Sequence, residues 1–182
     1  MLSNYLRLSL ISLVVILTTT SLNAQEFPRL DASPLDITIA RNDDMSPVIR
    51  VIYSRPKKND RKIFGALVPF EKVWRTGANE ATELEIYEPL KLGSKLIEKG
   101  TYTLYTIPNE NEWTVIINRE TNVWGAYSYM QDQDVVRVNV PSKGAAATIE
   151  SLSMAFKPTE NGVSLMIGWD DRFIEVPFEK VK

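Results

Sequence analysis

Cysteine and histidine are both absent from the 182-residue chain, and the two gaps exclude a good deal of chemistry. Without histidine there is no Ser-His-Asp triad, no Cys-His pair and no histidine-ligated zinc. Without cysteine there is no disulfide, no iron–sulfur cluster and no lipid-bearing amino-terminal cysteine. Acid–base work would fall to Asp, Glu, Lys or Tyr. A metal site would have oxygen ligands alone, which suits calcium or magnesium. The oxygen-rich groups Asn42-Asp43-Asp44 and Asp132/Asp134 lack the calcium-loop spacing, so neither a metal nor a cofactor is expected. A strong excess of one charge is missing too, the formal net charge being −2. Such a chain has no general pull on nucleic acid or anionic lipid, and neither is an expected partner.

Long apolar runs are scarce. The one present, Leu8–Leu17, follows Arg7 and precedes the small polar stretch Thr18–Ala24. It falls short of the roughly 20 residues of a spanning helix and has the length of a signal-peptide core. Residues 1–24 are therefore read as a signal peptide cleaved near Ala24, although Leu22 is large for the −3 position. The expectation is export to the periplasm or beyond, with no stable membrane span left after cleavage. The mature chain would have 158 residues and a formal charge of −3, Arg7 being the one charged residue removed. That length supports a core without disulfides.

After an exposed lead-in over 25–35, residues 36–182 read as one β domain. Alternation marks short strands at Asp36–Ala40, Pro47–Tyr53, Thr82–Tyr87, Thr101–Ile107, Trp113–Asn118 and Val135–Val140. Gly93-Ser94 joins two short strands, and Asn161-Gly162 is a strong hairpin signal. Thr148–Lys157, Val163–Trp169 and Phe173–Phe178 complete about ten strands, with Asp170-Asp171 turning the chain. Pro141–Ala147 reads as a linker. No amphipathic helix, sequence repeat or low-complexity tract interrupts the pattern. The class is all-β, a single antiparallel sandwich or jelly-roll-like domain.

Ile63–Thr82, IFGALVPFEKVWRTGANEAT, fits no regular period and reads as a long packed loop, with one helical turn near Phe70–Val73. Within it Trp74, Arg75, Asn79 and Glu80 form a candidate site. A guanidinium is a donor fork suited to carboxylate, phosphate or sugar oxygens. Gly77 and Asn79 tolerate left-handed backbone, and a turn there brings Arg75 and Glu80 together. Trp74 offers a flat surface for a sugar ring or a cation. Against this stands a structural reading, in which Arg75 and Glu80 pair to pin the loop over one end of the sandwich. Arg55 and Arg61 bracket the preceding loop and would add to an anion site if they converged. Trp124 and Tyr127, in the aromatic stretch Trp124–Met130, would complete its wall; the plainer roles are solvated charge beside Lys57 and Lys58 for the two arginines and core or rim packing for the two aromatics.

The chain resembles the exported bacterial proteins grouped as domain of unknown function 2911. The likeness is carried by Tyr53-Ser54-Arg55-Pro56, Arg61 with Ile63-Phe64-Gly65, Leu67-Val68-Pro69, the run Val73–Thr82, Gly100-Thr101-Tyr102, Thr106-Ile107-Pro108, Glu112-Trp113-Thr114 and Trp124-Gly125-Ala126-Tyr127. It spans about residues 35 to 180. The resemblance implies export and a single domain, and brings no reaction, cofactor or catalytic residue with it.

Three functions fit these residues. The first is a non-enzymatic binding module for a small anionic or carbohydrate-like ligand near Trp74–Thr82. The second is a carboxylate-dependent, glycosidase-like hydrolase using Glu80. The third is an envelope structural protein that meets another protein through a sheet edge or aromatic loop.

Overall fold

Alternating runs of β-branched and aromatic residues become strands wherever one face of a sheet can be buried. A computed structural model describes residues 26–181; the expected signal peptide, residues 1–24, lies outside them. The strands are β1 (Leu35–Arg41), β2 (Pro47–Ser54), β3 (Thr82–Ile86), β4 (Leu90–Leu92), β5 (Lys95–Ile97), β6 (Gly100–Ile107), β7 (Glu112–Asn118), β8 (Asp134–Pro141), β9 (Lys143–Thr159) and β10 (Gly162–Lys180). They form a six-stranded sheet ordered β1-β2-β3-β6-β7-β8 and a four-stranded sheet ordered β5-β4-β10-β9. All the strand pairings are antiparallel. The fold is an all-β sandwich.

The inner faces follow the alternation. Thr82, Leu84 and Ile86 of β3 are buried, with Glu83 and Glu85 half-buried between them. Leu152, Leu165, Ile167, Val176 and Phe178 bring the smaller sheet against Val51, Leu84, Leu104, Val115 and Ile117 of the larger one. Trp113 and Trp169 are buried in the same core.

Two departures from the sequence reading have clear causes. Lys143–Ala147 belongs to β9 and is not a linker, because Lys143 and Gly144 pair with Phe173 and Arg172. Backbone pairing needs no large side chain, so an alanine run conceals it. Residues 70–73 form a turn and bend without helix. The outer face of β6 and β7 also departs from a half-solvated sheet. Tyr105, Ile116 and Asn118 point away from the core, yet none is exposed. The segment 119–133 lies across them. Thr103 Oγ1 donates to Glu120 O at 2.5 Å, and Asn118 Nδ2 donates to Met130 O at 2.9 Å. The Tyr129 ring meets the Tyr105 ring edge-on at 5.2 Å.

β10 doubles back at Asp170 and Asp171, so its ends lie together. Asp170 has φ +56°, and Lys180 N donates to Asn161 O at 2.8 Å. The β9–β10 hairpin closes on the Thr159–Gly162 pair, so its two turn residues are Glu160 and Asn161, one position earlier than Asn161-Gly162. Gly162 is needed for close approach: a Cβ there would sit 2.2 Å from Phe178 O. That neighbour is backbone in a paired strand and cannot step aside. Gly162→Ala is expected to lower stability by about 2–3 kcal/mol, read as a reduced urea midpoint at unchanged slope; a midpoint equal to wild type would contradict this close approach.

Candidate functional site

The loop between β2 and β3 is held by its own backbone and by apolar anchors. Pro56 O accepts from Leu152 N at 3.0 Å, and Lys58 N donates to Glu150 O at 2.7 Å, which hooks the loop onto β9. Ile63, Phe64 and Val68 then enter the core. Gly65 makes the intervening turn at φ +76°, where a Cβ would strike the Phe70 ring at 2.8 Å. The chain next runs beside β6. Trp74 and Thr106 exchange both backbone hydrogen bonds, at 2.7 and 3.0 Å.

Trp74 is 8% exposed. Its ring stacks on Trp169 at 6.0 Å and meets Trp113 and Phe64 edge-on at 6.2 and 6.3 Å. Its Nε1 donates to Gly77 O at 3.1 Å. The indole therefore presents no surface to a ligand, contrary to the platform expected of it. Truncation would cost about 3–5 kcal/mol, so a Trp74 variant reports on folding. Thr76, at φ +55°, shares a 3.1 Å hydrogen bond with Thr106 Oγ1, and Thr82 Oγ1 donates to Thr76 O at 2.9 Å. These bonds pin the bend. The Arg75–Glu80 pair expected to do so does not form among the described residues: Glu80 is exposed, and no ion pair joins the two.

The three arginines do not converge. Arg55 is occupied by Asp36 Oδ2 (2.9 Å), Leu152 O (3.1 Å) and Ser153 Oγ (2.9 Å), which tie β1 to β9. Arg61 donates to the carbonyls of Lys57 and Lys58 in its own turn. Arg75 differs from both. It is half-buried, its Nε is wholly buried, and among the described residues nothing accepts from it.

The stretch around Trp124 lies beside the bend. Ala81 N donates to Val123 O at 3.0 Å, Gly125 N donates to Asn79 O at 3.1 Å, and Glu80 and Trp124 form a bridge pair. Trp124 is 61% exposed and Tyr127 88% exposed. Gly125, at φ +70°, lets the Tyr127 ring lie against the loop, since a Cβ would come within 2.7 Å of that ring. Asn79 Nδ2 donates to Asp31 Oδ1 at 3.0 Å. With the Ser33 N–H, that bond holds the Asp31 carboxyl below the usual carboxylate range, the Ser33 contact being the larger cause. Part of the lead-in is thereby tied to the site.

Residues 33–178 match the family model described as Protein of unknown function (DUF2911). The chain belongs to that family. No curated protein and no solved structure matches it. In this DUF2911 member the Val73–Thr82 run and the Trp124–Tyr127 run, distant in sequence, are the two strips that lie side by side.

Sequence reasoning missed the residues beneath those strips. Asp134 accepts from Asn118 Nδ2 at 2.8 Å, from Tyr129 at 2.7 Å and from Arg137 Nη1 at 2.8 Å. This network fastens segment 119–133 to β7 and β8. The β-branched and aromatic run Thr101–Ile107 marked a strand but not the direction of Tyr105, and nothing local marked Glu120 or Asp134. Burial, and then the Glu120 and Asp134 charges, push the Tyr105 phenol up to about 12. Burial and the Asp134 hydrogen bond push Tyr129 up to about 12 as well. An unfolded tyrosine titrates near 10. The neutral phenols therefore support the fold fully below about pH 10, and that support is lost as pH rises through about 12. Stability is expected to fall across that window by about 2–3 kcal/mol for the fully buried Tyr105 and by less for the partly exposed Tyr129, whose shift solvent screens, by urea unfolding at stepped alkaline pH. Tyr129→Phe should remove part of the slope; an unchanged slope would show that Tyr129 is not the titrating group.

Proposed function

We propose that this protein is an exported, non-enzymatic binding module that holds a small anionic or carbohydrate-like ligand between the Trp74–Thr82 bend and the Trp124–Tyr127 strip. The observation that carries this reading is Arg75. A guanidinium with a buried and unpartnered N–H costs about 1–3 kcal/mol, a cost that a ligand oxygen would offset. Trp124 and Tyr127 stand exposed on the strip that pairs with Asn79, Glu80 and Ala81 of the same bend, and exposed aromatic faces are the usual stacking surface for a sugar ring. Asn79 and Glu80 supply the polar rim. Trp74, Arg55 and Arg61 have no part in contacting the ligand, since each is committed within the chain. A hydrolase would need the Glu80 carboxyl desolvated or closely paired to act as an acid near neutral pH; Glu80 is exposed.

Thermal melts across a panel of sugars, peptides and inorganic anions test the reading. At least one compound is expected to raise the melting temperature of wild type by several degrees and to leave folded Arg75→Ala unmoved. The same shift in both proteins would place the ligand elsewhere, and no shift from any compound would remove the proposal. Export is tested separately. Expressed from its full sequence in a bacterium, the purified chain should begin at Gln25, lighter by residues 1–24 on intact mass; an unprocessed chain in the cytoplasm would refute it.

A further inference from the structure

The outer face of the larger sheet carries a set of polar atoms that the fold leaves without partners. The Trp74–Thr106 backbone pair turns both of those side chains into the core. Their neighbours Arg75 and Tyr105 are therefore opposite one another on the outer face. Tyr105 is fully buried there, and its hydroxyl has no hydrogen-bond partner. Thr103 Oγ1, two residues back on the same face of β6, donates to Glu120 O and so brings residue 120 over this face. Glu120 Oε2 is likewise buried and without a partner. Arg75 Nε is the third such atom. Other buried polar groups nearby are satisfied, Asn118 and Asp134 by each other and by Met130 O, Tyr129 and Arg137. Arg50 Nε, Ser54 Oγ, Glu88 Oε1 and Trp113 Nε1 also lack partners among the described residues; Arg75, Tyr105 and Glu120 are the three that the β6 pairing and the Thr103–Glu120 bond gather on one sheet face, and the same segment that carries Glu120 carries the exposed Trp124 and Tyr127.

The chemistry of these atoms selects among ligands. Arg75 Nε–H can only donate, the Tyr105 hydroxyl can donate or accept, and the Glu120 carboxylate oxygen can only accept. A group that both accepts and donates answers all three, and that group is an alcohol. A phosphate or sulfate could accept from Arg75 and Tyr105, but it would face the Glu120 charge and could not donate to it. We propose that the ligand is an uncharged polyol, a saccharide unit, with hydroxyls that bond to Tyr105 and Glu120 while its ring lies on Trp124 or Tyr127. This rests on the binding reading above and narrows it, since it rejects the anionic class.

The test uses the mature chain and its Tyr105→Phe and Glu120→Gln variants, with cellobiose, maltose and N,N′-diacetylchitobiose as neutral probes and inorganic phosphate and sulfate as anionic ones. Melting shifts and titration calorimetry read the binding. At least one saccharide is expected to bind wild type, and each variant to weaken it by about tenfold or more, while the anions have no effect. Tyr105→Phe should melt no lower than wild type without ligand, because it removes a hydroxyl that has no partner. Binding of phosphate or sulfate without any saccharide would overturn the polyol assignment and leave the binding module standing. Saccharide binding unchanged in both variants would overturn the site. Silence from every probe would overturn both proposals. A Tyr105→Phe variant that melts several degrees low, yet keeps its saccharide affinity, would show a hydroxyl satisfied by resident water and would also overturn the inference.

Discussion

The burial of one loop indole between the two sheets organises much of this fold. Trp74 belongs to no strand, yet its backbone pairs with β6 and its ring stacks on Trp169 from the opposite sheet. Phe64 and Trp113 close around it. Aromatic pairs of this kind add about 0.5–1.5 kcal/mol each beyond the area they bury. The cluster thereby ties a loop of more than twenty residues to both layers at once. A loop that long would otherwise be an entropic burden at the end of a sandwich. Fixing Trp74 also fixes its neighbours in the chain: with that side chain inward, Arg75 must face outward, and Asn79 at the end of the bend presents its carbonyl to Gly125 of the next layer.

That next layer is segment 119–133. It covers the outer face of β6 and β7 and turns what would be a solvated sheet surface into a second, polar interior. The covering is fastened at one end by the Asp134 network and at the other by backbone bonds to Asn79 and Ala81. Polar groups caught under such a cover are satisfied or costly. The Asp134 end is satisfied, whereas the Arg75, Tyr105 and Glu120 end is not. The exposed Trp124 and Tyr127 belong to the same covering segment.

Much of this was legible in residue order, though unevenly. The alternation in Thr82–Tyr87 placed Thr82, Leu84 and Ile86 inward, as found. The Val73–Thr82 and Trp124–Tyr127 stretches stood out in sequence as irregular, and the fold pairs them through Asn79, Glu80 and Ala81. The arginines were misjudged as a group. Arg55, Arg61 and Arg75 look alike in sequence; Arg55 finds acceptors on Asp36, Leu152 and Ser153, up to 98 positions away, Arg61 finds them in its own turn, and Arg75 Nε finds none among the described residues. Trp74 was misjudged for a related reason: an indole in a glycine-rich loop suits a ligand platform and a core plug equally well.

Residue order alone determined the all-β class, the placement of most strands and the exclusion of histidine- and cysteine-based chemistry. Those are local properties: a period of two side chains, turn residues at fixed offsets, and the presence or absence of a functional group. Tertiary structure decided which tryptophan is buried, which arginine lacks a partner and which tyrosine is sealed without one. Each depends on what a distant part of the chain brings within hydrogen-bonding reach, and no pattern along the sequence encodes that distance.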